Sequence, residues 1–146
     1  MNVRELKESF DFDAILYIEN ICFGESEAFT KAELPQIIQD CPVRFGAYAG
    51  VKLIGYALAR YSFSLGYLYS SAVLPEYRRL GLGRLMLCKR LKHLAELDCT
   101  VIQAHTKTTN VVSSSLLNKH NFYVKDYLPD YYADNEDGIL WEKRII

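Results

Sequence analysis

The most constraining feature of the sequence lies between residues 65 and 97, where a strand pattern passes through a glycine-containing loop into a long amphipathic helix pattern. LGYLYSSAVL is rich in aromatic and β-branched residues and ends before Pro75, as a strand would. YRRLGLGR forms the loop, and LGRLMLCKRLKHLAEL has the periodicity of a helix. The residues predicted to share the buried side of that helix are Leu82, Leu85, Met86, Leu91 and Leu94. A strand, loop and helix in this order require an α/β fold.

The remaining segments also alternate between strand and helix patterns. Further strands are predicted at residues 1–7, 43–49, 53–63, 99–106, 122–128 and 138–146, and further helices at 11–22, 30–41 and 110–122. Pro35 must lie in the first turn of its helix, Gly50 suits a hairpin turn, and Thr109 or Asn110 can cap the helix that follows. We therefore expect one α/β domain over residues 1–146, with a mixed, mostly antiparallel sheet flanked by helices.

Composition excludes several classes of function. The formal net charge is -1, whereas a general nucleic-acid binder usually has a basic excess. The four cysteines form no C-x-x-C pair and have no histidines at metal-binding spacing, so free thiols in a reducing cytoplasm are expected, with no metal. The charged first ten residues do not resemble a signal peptide, and no apolar run reaches the ~20 residues of a membrane span.

The loop YRRLGLGR has the chemistry of an anion site. Gly81 and Gly83 allow close backbone approach just before a helix N-terminus, and the arginines around them add positive charge. Met86 stands where a dinucleotide fingerprint needs its third glycine, and no Gly-Lys-Ser/Thr follows as in a nucleotide P-loop. Spacing alone therefore leaves two readings open: a phosphate-binding loop, or a tight turn with exposed arginines.

The segment AVLPEYRRLGLGRLML resembles the acetyl-CoA-binding segment of the GNAT superfamily of N-acetyltransferases. Arg78, Gly81 and Gly83 occupy the fixed positions of its signature, Arg/Gln-x-x-Gly-x-Gly/Ala, and the predicted element order is similar over the whole chain. The resemblance implies acetyl-CoA as the co-substrate, its pyrophosphate held by loop amides and its pantetheine arm by a strand edge. The residues assigned to acetyl-CoA are Ser71, Ala72, Val73, Arg78, Arg79, Leu80, Gly81, Leu82, Gly83, Arg84 and Asn110.

Within that superfamily, the C-terminal half resembles the bacterial ribosomal-protein-alanine N-acetyltransferases. TTNVVSSSLLNKHNF places Asn110 and Phe122 at the family spacing. YLPDYYADNEDGILW is similar to the family tail, in which a tyrosine pair, here Tyr131 and Tyr132, precedes an acidic turn. The resemblance implies an N-acetyltransferase that acts on a primary amine.

Two departures from this pattern concern catalysis. Leu117 stands where the family has a tyrosine proposed as proton donor, and His105 stands where it has a glutamate proposed as base. A histidine can take a proton from an α-amine near neutral pH, so His105 is the predicted base, beside the alternative that it is a packed strand residue. Tyr131 and Tyr132 are the first candidates for substrate contact or proton donation.

We therefore predict direct attack of an amine on acetyl-CoA in a ternary complex, without an acyl-enzyme. Residues 23–34 and 126–137 should flank the acceptor, and their acidic character hints at a cationic one. A non-catalytic CoA sensor or interaction domain and a small-molecule or antibiotic acetyltransferase are the alternatives. No nucleic-acid or membrane partner is expected, and the protein is expected to be a monomer or a homodimer.

Overall fold

The computed structural model describes residues 1–6 and 12–145. Within these residues the chain forms seven strands and four α-helices. In chain order they are β1 (Asn2–Glu5), α1 (Phe12–Phe23), α2 (Leu34–Asp40), β2 (Val43–Ala49), β3 (Lys52–Ser62), β4 (Leu65–Val73), α3 (Leu82–Glu96), β5 (Val101–Lys107), α4 (Val111–Lys119), β6 (Tyr123–Leu128) and β7 (Gly138–Arg144). The predicted strand residue 7, helix residue 11 and strand residue 146 lie outside the described residues.

The strands form one mixed sheet in the order β1-β2-β3-β4-β5-β7-β6. β4 and β5 pair in parallel, from Leu65 opposite Val101 to Leu68 opposite Ala104. β1 with β2, β2 with β3, β5 with β7 and β6 with β7 pair antiparallel. The predicted α/β fold with a mostly antiparallel mixed sheet is therefore confirmed.

The backbone groups into two compact units. The first comprises residues 1–60 and 70–93, and its most buried side chains include Ile18, Tyr56 and Met86. The second comprises residues 61–69 and 94–146, and Ile102 and Phe122 belong to its core. β4 contributes Leu65–Tyr69 to the second unit and Ser70–Val73 to the first.

Local signals in the sequence predicted several turns and caps correctly. Gly50 takes φ +61° in the turn between β2 and β3, and Pro35 lies in the first turn of α2. Asn110 is the N-cap of α4, where its side chain accepts a hydrogen bond from the Ser113 N–H at 3.1 Å. These features depend on neighbours in the chain and so are readable from it.

The predicted buried face of α3 was partly wrong. Leu82, Met86 and Leu94 are buried as expected, but 43% of Leu85 is exposed and Arg90 is only 5% exposed. The Arg90 guanidinium donates to the Leu58 carbonyl at 3.1 Å, so it lies against β3. Apolar spacing cannot show that a long cationic side chain fills a core position when it finds a backbone acceptor.

The second predicted helix begins later than expected, at Leu34. Residues 30–33 form a turn in which Thr30 and Glu33 exchange hydrogen bonds, each backbone N–H bonding the other side chain at 2.9 and 3.1 Å. This reciprocal pair is a capping box and fixes the chain just before α2. The loop between β4 and α3 also contains a short 3-10 turn, Pro75–Tyr77.

Candidate functional site

The loop before α3 has the backbone conformation of an anion-binding turn. Gly81 takes φ +80°, a left-handed conformation that glycine adopts without penalty, and Arg79 takes φ +64°. α3 begins at Leu82, and the Leu85 N–H bonds the Gly81 carbonyl at 2.9 Å. The amides before Leu85 have no acceptor within the helix, as at any helix start, and can bind an anion.

Gly83 lies in the first turn of α3, with open space beside its backbone. A Cβ built on Gly83 meets no other protein atom within 4 Å, and the φ of this residue is not in the left-handed region. Conformational freedom is therefore not why glycine stands here. The predicted contact of Gly83 with the pyrophosphate of acetyl-CoA stays a prediction.

Arg78 holds the end of β4 in place. Its Nε donates to the Val73 carbonyl at 2.9 Å, and one terminal nitrogen lies 3.4 Å from the Cys22 sulfur. The Cys22 thiol also approaches the Val73 carbonyl, at 3.5 Å. The Arg78 guanidinium thus contacts β4 in the structure, and its predicted contact with acetyl-CoA stays a prediction. Arg79 and Arg84 are exposed and remain available for phosphate.

The predicted pantetheine segment, Ser71–Val73, is the end of β4. Ser71 is exposed, while Ala72 and Val73 are half-buried. Just beyond, the Leu74 N–H bonds the Ile54 carbonyl of β3 at 2.9 Å. The end of β4 is thus hydrogen-bonded to β3 and to Arg78, and these contacts fix the position of the strand end next to the loop.

His105 lies in an aromatic cluster in the second unit. Its Nδ1 hydrogen-bonds the Tyr67 hydroxyl of β4. Its ring stacks on Tyr131, with centroids 4.8 Å apart and planes 12° from parallel. Tyr131 in turn meets Tyr132 edge to face at 5.0 Å. The three residues predicted to be catalytic are therefore adjacent, and Tyr67 joins them.

The surroundings of the cluster shift the pKa values of His105 and Tyr132, which favours a neutral imidazole and a protonated Tyr132 hydroxyl. Burial lowers the pKa of His105 below its usual 6.5, so the ring is mostly uncharged at neutral pH. Burial, reinforced by the neighbouring Tyr131, raises the pKa of Tyr132 above 10, although Lys107 acts in the opposite direction. An uncharged imidazole can accept a proton, and a protonated phenol can donate one.

The tyrosine pair is held by the acidic turn that follows it. Lys107 on β5 pairs with Asp134 at 2.6 Å and with Glu136 at 3.1 Å, and its ammonium lies 5.4 Å from the Tyr132 ring centroid. On β7, a Cβ at Gly138 would come within 3.1 Å of the Tyr131 ring. Glycine is therefore needed for the close packing of Tyr131 on that strand.

Asn110 and Leu117 have structural surroundings that explain their residue types. The Asn110 side chain caps α4, as described above, and its predicted contact with acetyl-CoA stays a prediction. Leu117 is 6% exposed, so an apolar side chain suits its position. Leucine has no proton to donate, so this side chain cannot take the role proposed for the family tyrosine.

Two residues with notable surroundings were not predicted from the sequence: Tyr67, the partner of His105, and Glu19, a buried carboxyl. Tyr67 pairs with Gln103 in the parallel register of β4 and β5, so His105, two residues on, shares its side of the sheet. The register between these two strands, which bring together residues 38 positions apart, is not visible in the sequence.

The second residue that was not predicted is Glu19, which lies on α1 and is 1% exposed. A signal existed for it, since Ile15, Ile18 and Glu19 follow one helical stripe.

The described residues contain no cluster of three or more His, Cys, Asp or Glu side chains suited to a metal ion. All four cysteines are free thiols, as predicted. Across residues 1–6 and 12–145, no helix has the length and apolarity needed to cross a membrane.

Residues 12–122 match the Acetyltransferase (GNAT) family. An N-alpha-acetyltransferase of Sulfolobus acidocaldarius is 34% identical over 76 residues, which are 51% of this chain and 45% of that protein. The chain spans about half the length of the curated relatives it matches.

Solved structures share the fold at low sequence identity. The ribosomal-protein-S18-alanine N-acetyltransferase of Escherichia coli has a TM-score of 0.87 and 20% identity, covering 99% of this chain and 93% of that one. Arabidopsis thaliana Naa50, in complex with the bisubstrate analogue CoA-Ac-MVNAL, has a TM-score of 0.83 and 18% identity, covering 99% of this chain and 98% of that one.

Proposed function

This chain belongs to the acetyltransferase (GNAT) family, and on that premise we propose that it transfers the acetyl group of acetyl-CoA to the α-amine of a peptide or protein N-terminus. The hydrogen bond between His105 and Tyr67 is the observation on which this proposal depends most. The N-alpha-acetyltransferase relative and the peptide-containing bisubstrate analogue bound to Naa50 support the choice of acceptor.

The amides of Leu82, Gly83 and Arg84 would bind the pyrophosphate of acetyl-CoA, assisted by Arg79. The end of β4 at Ser71–Val73 would receive the pantetheine arm and the thioester. A backbone N–H near Val73 would stabilise the oxyanion of the tetrahedral intermediate. Asn110 remains a proposed contact of the cofactor.

The pair formed by His105 and Tyr67 would take up the amine proton. With Nδ1–H donating to the phenol oxygen, Nε2 has a free lone pair for that proton. In the other tautomer Tyr67 donates to Nδ1, and the proton enters through the phenol oxygen. The amine nitrogen then attacks the thioester carbonyl, and the C–S bond breaks to release CoA thiolate. Tyr132 is the proposed donor to that thiolate, and the second proton of the attacking nitrogen, lost as the amide forms, would restore the Tyr132 hydroxyl.

Proton affinities favour an α-amine over a lysine side chain. An α-amine has a pKa near 7.7–8.0, so transfer of its proton to a histidine below about 6.5 is uphill by about 2 kcal/mol. A lysine amine near 10.4 raises that cost to about 5 kcal/mol. Direct deprotonation by His105 therefore favours the α-amine by on the order of a few hundred-fold.

Release of free CoA thiol from acetyl-CoA tests this proposal, with a peptide acceptor that has a free N-terminus and an N-terminally blocked control. Wild type should turn over the free peptide, and His105→Ala should lose most activity below about pH 8, where the amine is protonated. Tyr67→Phe keeps the ring but loses the hydroxyl, so it should show a smaller loss. Acetyl-CoA binding without turnover of any amine would favour a CoA sensor instead.

A further inference from the structure

Glu19 is a buried carboxyl that connects three parts of the first unit. It lies on α1 and is 1% exposed. Its Oε1 accepts a hydrogen bond from the Phe29 N–H at 3.0 Å, in segment 24–33, which leads from α1 to α2. Its Oε2 hydrogen-bonds the hydroxyl of Tyr56 on β3. The carboxyl therefore ties segment 24–33 to the sheet.

The connection continues to the strand proposed to bind pantetheine. Tyr56 is fully buried, and its hydroxyl also lies 3.1 Å from the Ser70 Oγ on β4. Ser70 immediately precedes Ser71–Val73 in that strand. One line of hydrogen bonds thus runs from the backbone of segment 24–33, through Glu19 and Tyr56, to β4.

The carboxyl has hydrogen-bond donors beside it, and no cation lies there in the part of the chain that the structure describes. No ion pair to Glu19 occurs within 4 Å among residues 1–6 and 12–145, and the facing titratable groups are Tyr56 on β3 and Cys22 on its own helix. Arg78 approaches Cys22 and not the carboxyl. Burial raises the pKa of Glu19 to about 7, despite the opposing Phe29 N–H.

We propose that Glu19 is a positioning residue that holds segment 24–33 in place while protonated, and that its ionisation loosens this segment. A buried carboxyl with a raised pKa prefers its proton in the closed state. If segment 24–33 opens, water reaches the carboxyl and its pKa returns toward 4.5, so ionisation favours opening. From these two pKa values the opening equilibrium constant rises about tenfold from about pH 6 to about pH 8.5.

The consequence for catalysis rests on the proposed function. Segment 24–33 belongs to the region expected to flank the acceptor, so loosening it should raise KM for the acceptor and leave the dissociation constant of acetyl-CoA unchanged. Glu19→Gln keeps an acceptor for the Phe29 N–H and a donor for Tyr56, but has no charge. The KM of Glu19→Gln for the acceptor should therefore not rise with pH as that of wild type does, while kcat stays close to that of wild type.

Hydrogen–deuterium exchange of segment 24–33 tests the inference without a ligand. After correction for intrinsic exchange, wild type and the control Asp13→Asn, an exposed carboxyl on the same helix, should show the tenfold rise in opening, and Glu19→Gln should not. Tyr56→Phe removes a hydrogen-bond donor to the Glu19 carboxylate, which raises the pKa of Glu19 further. The increase in opening of segment 24–33 should therefore occur at higher pH in this variant. Equal pH dependence in all four proteins overturns the inference. If exchange follows this prediction but no amine is acetylated, the proposed function is wrong and the inference about Glu19 stands.

Discussion

Replacing Glu19 by glutamine should change how the stability of the fold depends on pH. The pKa of Glu19 is about 7 in the folded protein and near 4.5 when the carboxyl is exposed to water. Because the folded-state pKa is raised, its contribution to stability is complete below about pH 4.5 and is lost as pH rises through about 7. Between about pH 5 and about pH 8 this loss amounts to about 2–3 kcal/mol.

Urea unfolding followed by circular dichroism measures this loss directly. The free energy of unfolding of wild type should fall by about 2–3 kcal/mol more than that of Glu19→Gln over this pH range. Asp13→Asn should follow wild type, since Asp13 is exposed. Parallel curves for wild type and Glu19→Gln would show that the carboxyl is solvated or ionised throughout, and would contradict a buried, protonated Glu19.

Four further substitutions test separate parts of the structure. Gly83→Val should weaken acetyl-CoA binding at least about tenfold by calorimetry, and an unchanged dissociation constant would reject the loop assignment. Arg90→Met should match or exceed wild type in denaturant unfolding, because burial lowers the pKa of Arg90 to about 10 and its Nε has no hydrogen-bond partner among the described residues. A loss above about 2 kcal/mol would contradict this expectation. Asn110→Ala should cost about 1 kcal/mol in thermal unfolding by removing the cap of α4, and no loss would mean that the cap is dispensable. Gly138→Ala should displace the Tyr131 ring and expose His105, which stacks on it, so the NMR titration midpoint of His105 should rise. An unchanged midpoint would contradict this expectation.

The sequence predicted those features that depend on neighbours in the chain. The Asn110 cap and the turn at Gly50 are set by local backbone chemistry. The loop before α3 was also predicted correctly as a turn into a helix, because glycine spacing and a change of periodicity mark it.

Features that depend on tertiary packing were not predicted. Apolar periodicity treats a charged residue as exposed, so it overlooked both Arg90 and Glu19 as core residues, although both find backbone partners inside the fold. The contact between Tyr67 and His105 needs the register of two parallel strands, which no local signal encodes. His105 was identified through its place in a family pattern, and its partner emerged only from the structure.

The site of acetylation on one peptide tests the central claim most directly. The peptide has a free N-terminus and an internal lysine, and is incubated with wild type and acetyl-CoA near neutral pH. Fragmentation in a mass spectrometer then locates the acetyl group. We predict acetylation of the α-amine, with a preference of at least about a hundredfold over the lysine, as the proton affinities require. Preferential acetylation of the lysine, or bound acetyl-CoA with no acetylated peptide, would contradict the proposed function.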